Sequence, residues 1–395
     1  MNRNHHSAVH IYLSTFENES RILKQTKSLI DHNIVDRITV ISFGRESLEG
    51  FERIDKNRGV YRIRPNLLRE YLYRKQVPHG YGLYTLISFI RFFEFVIKLI
   101  KIIKNEKPDF VNLHQILLLP LIPFIKIVSF KSKLIYDTHE LETETNGLKG
   151  YRKKLFKFIE WFFIRWFNYV FVVSPSIEDW YRKTYGIQNI ATVMNCPNLI
   201  NIKKKNLFRE QFLISDSTKI FLYQGALFKG RGIEILLETF KALPSDDYCL
   251  ILMGYGKLEN LIIEYSEKYK NIHFKPAVSP DVVLEYTSSA DYGISLIENI
   301  CLSYYYCLPN KLFEYLMVEI PVIVSDMKEM KNFVEKTGAG LITKENSADS
   351  LTDTILALKF FDQELYNQSI SAIKNEYCWE KQETIMIEAY QNILK

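Results

Sequence analysis

Lys311 and Glu314 stand three residues apart in PNKLFEYLMVEIPVIVSD, Pro309 to Asp326. The lysine sits at the start of a predicted helix, where the dipole disfavours a cation. Asn310 reads as the N-cap, Pro309 as the entry residue and IPVIV as the buried strand that follows. A cation at that end is tolerated when an anion lies between it and the free backbone N–H groups, as a diphosphate would. Glu314, one turn deeper, then accepts hydrogen bonds from sugar hydroxyls. The alternative is a solvated i,i+3 ion pair. A second basic cluster, Lys229 and Arg231, lies in YQGALFKGRGIE. There Gly225, Gly230 and Gly232 let backbone approach an anion closely; the alternative is a basic turn that opens a helix. His139 and Glu140 follow the apolar run KLIYD, where a lone histidine is either structural or a ligand contact. Gly254 and Gly256, in MGYGKLENL, form an isolated GxG after another apolar run, a place where a nucleotide can come close.

These residues need a scaffold, and the apolar runs supply one. HIYLS, DRITVISF, DFVNLH, KLIYDTHE and YVFVVS read as buried strands separated by helical stretches. After the polar, basic NCPNLINIKKKNLFRE, a predicted linker, the alternation restarts with KIFLYQG, YCLILMG, IHFKP, YGISLI and IPVIVSD. Strands alternating with helices give parallel sheets and two Rossmann-like halves, with ligands in the cleft at the carboxyl ends of the strands. The 395 residues, 47% hydrophobic and 25% charged, suit a folded protein of two domains. The net charge of +5, locally clustered, points away from nucleic acid as a partner. Five cysteines without a CxxC pair suggest neither a zinc site nor a disulfide framework, and fit a reducing cytoplasm. MNRNHHSAVHIYLSTF lacks the apolar core of a signal peptide, and His5 and His6 read as incidental.

PNKLFEYLMVEIPVIVSD with FVEKTGAGLIT, YDTHELETE, VVSPSIEDWYRKTYG, YQGALFKGRGIEILLETF and the closing YCWEKQETIMIEAY together resemble the retaining glycosyltransferases of the GT-B fold, family four. The resemblance spans nearly the whole chain. It implies two Rossmann-like domains, 1–200 on the acceptor side and 201–375 binding the nucleotide sugar, with 376–395 crossing back to the first. It also implies transfer of a sugar from a nucleotide diphosphate sugar, UDP favoured and GDP possible, with retention at the anomeric carbon and no cofactor or metal. No Asp-x-Asp occurs in the chain, so positive side chains must hold the diphosphate. By resemblance those are Lys311 and Arg231, the latter standing where the family has lysine, with Gly225, Gly230, Gly232 and Lys229 around them. His139 matches the histidine that contacts the donor sugar and, with Glu314, is the catalytic candidate; Glu314, Gly254, Lys275 and Val278 fall to ribose and base. Ser20 and Arg21 match the loop that approaches phosphate and acceptor. The chain departs from the family at Ala226, in place of arginine, at Tyr306, in place of the first of two glutamates, and at Glu319, in place of glycine; Glu298 is too distant to replace the missing acid.

LYTLISFIRFFEFVIKLIKIIK, 83–104, and YRKKLFKFIEWFFIRWFNYVFVV, 151–173, combine aromatic and basic residues at helical spacing. Their charges exclude membrane spans. Such helices either pack on the sheet with basic outer edges or lie on an anionic bilayer, which would suit a lipid-linked glycan acceptor in bacterial surface polysaccharide or glycolipid assembly, at the cytoplasmic face of the membrane. ILLLPLIPFIKIV reads as a buried helix broken by Pro120 and Pro123. Two other readings remain: a nucleotide-sugar epimerase of the same fold, and a non-catalytic scaffold.

Overall fold

The computed structural model describes residues 6–17, 19–45, 47–66 and 82–395, with side-chain detail in the first turn of helix Gly82–Glu106 left aside; His5 lies outside them. Two sheets form. The first contains β1 (Ser7–Ile11), β2 (Arg37–Phe43), β3 (Phe51–Arg53), β4 (Arg58–Ile63), β5 (Phe110–Leu113), β6 (Lys133–Asp137), β7 (Tyr169–Val172) and β8 (Ile190–Thr192), in the order β3-β4-β2-β1-β5-β6-β7-β8. The second contains β9 (Lys219–Ala226), β10 (Tyr248–Tyr255), β11 (Ile272–Pro276), β12 (Tyr292–Ser295), β13 (Val322–Ser325) and β14 (Gly340–Thr343), in the order β11-β10-β9-β12-β13-β14. Among the described residues every strand pairing is parallel except β3 with β4. The chain thus has the expected two Rossmann-like α/β domains. Within RITVISF the residues from Ile38 to Ser42 are all buried, because helices cover both faces of a parallel sheet.

The winding reverses between β1 and β5 in one sheet and between β9 and β12 in the other. These are the points where open α/β sheets leave a crevice at their strand ends. The last helix, Trp379–Leu394, returns to the first sheet, where Trp379, Met386 and Tyr390 pack with Ala8, Leu29, Phe110 and Phe171. Tyr390 Oη donates to Asn112 Oδ1 at 2.6 Å.

Four differences from the sequence reading have local causes. The first strand starts at Ser7, earlier than HIYLS. β3, β4, β8 and β14 were absent from the expectation because each is short, polar or glycine-bearing. Pro309, not Asn310, is the cap residue of helix Asn310–Met317, and no side chain caps it. The ILLLPLIPFIKIV segment is a 3-10 helix, Ile116–Leu121, followed by helix Ile122–Val128, which Pro123 helps to start rather than break. That segment is also only half buried, with Leu117, Phe124 and Ile127 exposed.

Candidate functional site

The cleft between the sheets encloses ≈ 640 Å³ and is lined from both sides. Its floor on the second sheet is bare backbone. β9 and β10 run in register with Gly225 opposite Gly254. A Cβ on Gly254 would lie 1.8 Å from the Gly225 carbonyl oxygen, so the close approach requires glycine there. Gly225 itself has φ +113°, a conformation that favours glycine, and a Cβ there would stand 3.9 Å from Lys311 Cε.

Two cations meet over this floor. Lys311 Nζ lies 3.3 Å from the centre of the Tyr223 ring, and the Arg231 guanidinium 4.5 Å from that of Tyr304. Burial, with the charge of Arg231 second, holds the Lys311 ammonium well below the usual lysine range. Glu314 is attracted to it, but burial raises the Glu314 carboxyl. Gln224 Nε2 donates to Glu314 Oε2, and the amide is fixed in turn by Thr287 Oγ1, 2.9 Å from Gln224 Oε1. The result is an uncapped helix start with two converging cations, an arrangement whose electrostatic balance improves when an anion enters.

Of the other second-domain expectations, Val278 lines the cleft with Ala277 and Val283. Lys275 does not: its Nζ donates to Gln211 Oε1 at 2.9 Å and lies over the Tyr286 ring. Lys229 is exposed away from the lining. Gly230 and Gly232 also lie outside it. They have φ of +82° and +70°, and an added Cβ would come within 2.7 Å of Ile300 Cδ1 and 2.4 Å of Leu296 Cβ. These glycines shape and pack the turn that presents Arg231, and their backbone does not line the ligand space. Tyr306 turns away as well. Its ring packs with the first domain's core, and its carbonyl accepts from Ser174 Oγ at 2.7 Å.

The facing wall carries Tyr12, Ser20, Arg21, His114, Gln115, His139, Glu140 and Glu142. Arg21 is committed inward. Its Nε lies 3.2 and 3.1 Å from the two Asp137 oxygens, Nη2 donates to Oδ1 at 2.5 Å and Nη1 to the Val193 carbonyl at 2.7 Å. The guanidinium therefore anchors a buried carboxylate from its place in the cleft wall. Asp137 also accepts from Gln25 Nε2 at 2.9 Å and faces His114 Nδ1 at 3.1 Å. Although burial opposes it, these partners hold its carboxyl well below the usual range. His139 Nε2 lies 3.2 Å from His114 Nδ1. His114, Asp137 and His139 have the nitrogen and oxygen types of a metal tripod. The hydrogen bonds already on Asp137 occupy the lone pairs an ion would need, so the group reads as a hydrogen-bond network.

Glu140 faces Ser303 Oγ at 3.4 Å across the cleft, and burial raises its carboxyl while Arg231 lowers it. Burial, then Glu140 and Glu160, raise Glu142 well above the usual range. Sequence reasoning missed His114, Asp137, Gln224 and Glu142. The signal was present for two of them: His114 ends the predicted strand DFVNLH beside the winding reversal, and Asp137 lies within the predicted strand KLIYDTHE next to it.

Residues 36–201 match the family model described as Glycosyltransferase Family 4, and residues 204–375 the one described as Glycosyl transferases group 1. Among curated relatives, chitobiosyldiphosphodolichol beta-mannosyltransferase of Debaryomyces hansenii is 22% identical over 306 residues, 67% of this chain and 60% of the relative. The Candida albicans enzyme of that name is 24% identical over 287 residues, 64% of this chain and 60% of the relative. The chain thus spans about 60% of the length of the curated relatives it matches. Among solved structures, sucrose-phosphate synthase from Thermosynechococcus elongatus superposes with a TM-score of 0.73 at 15% identity, covering 98% of this chain and 99% of that one. Anabaena HepE in complex with UDP-glucose superposes with a TM-score of 0.70 at 11% identity, covering 98% and 100%.

Proposed function

The chain belongs to the GT-B glycosyltransferases of family four, and from that premise we propose that it moves a sugar from a nucleotide diphosphate sugar to a lipid-linked glycan. The convergence of Lys311 and Arg231 on the uncapped start of helix Asn310–Met317 carries this reading. Breaking the anomeric C–O bond leaves negative charge on the diphosphate, and on this reading these groups stabilise it without a metal. Glu314, fixed by Gln224, accepts hydrogen bonds from ribose or sugar hydroxyls. His139 faces the sugar from the opposite wall, and Ser20 lies nearer the acceptor. A UDP-sugar is the favoured donor, in line with the ligand of HepE; a GDP-sugar is the second choice. The lipid-linked acceptor takes its support from the names of the curated relatives. Assembly of a surface polysaccharide or glycolipid at the cytoplasmic face of a membrane is the process this would serve.

The family resemblance favours retention, with attack from the face that the diphosphate leaves. Inversion is the second reading, favoured by the "beta" in the relatives' names and by Tyr306 in place of an acid. Inversion needs a base on the acceptor wall, where Glu140 and Glu142 stand. The anomeric configuration of the product, read by NMR, separates the two.

The direct test is a thermal-shift series with UDP, GDP, ADP and CMP, repeated on Lys311→Ala and Arg231→Ala. We expect one nucleoside diphosphate to raise the melting temperature, an effect lost in both variants and insensitive to EDTA. No response at millimolar nucleotide would shift the reading to a non-catalytic scaffold, whereas sugar conversion without any acceptor would mark an epimerase.

A further inference from the structure

Three adjacent strands of the first sheet each deliver one histidine to the same line. His10 lies on β1, His114 follows β5 and His139 follows β6. His10 Nδ1 is 3.0 Å from His114 Nε2, and the planes of the two rings are inclined by 24°. His114 Nδ1 lies 3.1 Å from Asp137 Oδ2 and 3.2 Å from His139 Nε2. The outer imidazole, 23% exposed, rests against Tyr12 at the cleft wall; His10 and His114 are fully enclosed.

The protons in this line follow from counting donors and acceptors. Asp137 is paired with Arg21 and is an acceptor only, so the His114 nitrogen that faces it must carry hydrogen. Burial keeps His114 and His10 neutral at physiological pH. The second nitrogen of His114 is then bare and accepts from His10 Nδ1–H. His10 Nε2 ends the line as a bare acceptor with no hydrogen-bond partner among the described residues. At the other end, an Nε2–H on His139 would point at the Nδ1–H of His114 at 3.2 Å. The competing acceptor, Asp137 Oδ2, is farther, at 3.5 Å, and already receives Gln25 and His114.

We propose that His10 and His114 are positioning residues that hold His139 in its Nδ1–H tautomer, so that it presents a hydrogen-bond donor, and not a base, to the donor sugar. The inference rests on the glycosyl-transfer reading for what His139 touches, but not for its tautomer. Because the line ends at His10 with no further acceptor or donor, it orients His139 and does not carry protons out of the cleft. His139 can therefore bond a sugar hydroxyl or ring oxygen, and the acceptor's proton must go elsewhere.

The test is side-chain 15N–1H correlation NMR on protein labelled at histidine, with His139 assigned by its loss in His139→Gln. We expect His139 to carry its hydrogen on Nδ1, with Nε2 bare. In His114→Leu, which removes both links, that signal should move toward the Nε2–H form and kcat should fall at least tenfold. His114→Asn, whose amide can replace the lost donor, should restore both readouts; thermal melts of the variants control for folding. An Nε2–H His139 in the unaltered protein overturns the proposal, as does His114→Leu leaving tautomer and kcat unchanged. Finding Nδ1–H in a protein that neither binds nucleotide nor transfers sugar would support the positioning line and sink the functional reading instead.

Discussion

At the scale of single residues, the cleft's charges are set by partners distant in sequence. The family resemblance puts Arg21 in a loop that approaches phosphate and acceptor, yet its partner Asp137 is 116 residues away. No local pattern shows that the guanidinium is already engaged. Lys311 was legible because a cation at a helix start conflicts with the dipole, and that conflict lies wholly within one short segment. The histidine line has a consequence for stability. Burial pushes the His114 imidazole down to about 4 from 6.5, with Asp137 opposing. A base with a depressed folded pKa contributes stability that is present above the unfolded value and lost as pH falls through the folded one. Urea unfolding should therefore show about 3 kcal/mol lost on this account between pH 6.5 and 4. His114→Asn should flatten that slope, and an equal slope in the variant would assign the loss to other groups. At the glycine floor, Gly254→Ala drives a methyl into the Gly225 carbonyl. About 3 kcal/mol of destabilisation is expected in the same assay.

Among elements, alternation of strand and helix made most of the fold readable, because apolar runs of four to eight residues bounded by polar turns have few other solutions. The outer strands were harder to read. β3 is FER, with all three residues exposed, and nothing in its composition asks for a sheet. Periodicity also cannot tell an apolar residue in the core from one on the outside, so the exposure of Leu117, Phe124, Ile127 and Phe130 was hidden. Helix Gly82–Glu106, which packs on helix Ile122–Val128, exposes Phe89, Phe93 and Ile97, and helix Gly150–Phe163, which packs on Ile116–Leu121, exposes Phe158 and Trp161. Lys101, Lys104, Lys131, Arg152 and Lys154 are exposed on the same elements and the turn after Val128. Among the described residues no helix is long and apolar enough to cross a membrane. We propose surface attachment to an anionic bilayer instead. Phe89→Ser with Phe158→Ser should lower co-sedimentation with phosphatidylglycerol vesicles at least fivefold, and undiminished binding would discard this face.

Glu319 illustrates a second element-scale constraint. It ends the turn after helix Asn310–Met317 with φ +66°, the conformation that explains glycine at this place in the family. Its carboxylate pairs at 2.7 Å with Lys374, which is 3% exposed. Restoring glycine alone should relieve backbone strain but strand that lysine, for a net loss of roughly 1–3 kcal/mol. With Lys374→Met also present the loss should vanish, which a double-mutant cycle by urea unfolding can read.

Across the whole molecule, hydrogen bonds at the cleft rim join the two domains. Glu329 Oε1 accepts the Ser176 N–H at 2.9 Å, at the start of helix Pro175–Tyr185. Ser174 Oγ donates to the Tyr306 carbonyl beside it. Removing the carboxylate in Glu329→Ala leaves a buried donor unpaired, worth about 1–3 kcal/mol. Small-angle scattering should then record a larger radius of gyration that nucleotide reverses; an unchanged radius would show that closure does not depend on this contact. The first-domain wall of the cleft and the apolar face share one segment: His114 and Gln115 line the cleft, and Leu117, two residues on, is exposed. On the proposed attachment, the enzyme meets its acceptor by lateral diffusion in two dimensions. Its apparent KM would then be a mole fraction in the bilayer, so inert lipid added at constant bulk acceptor would slow turnover as an inhibitor does.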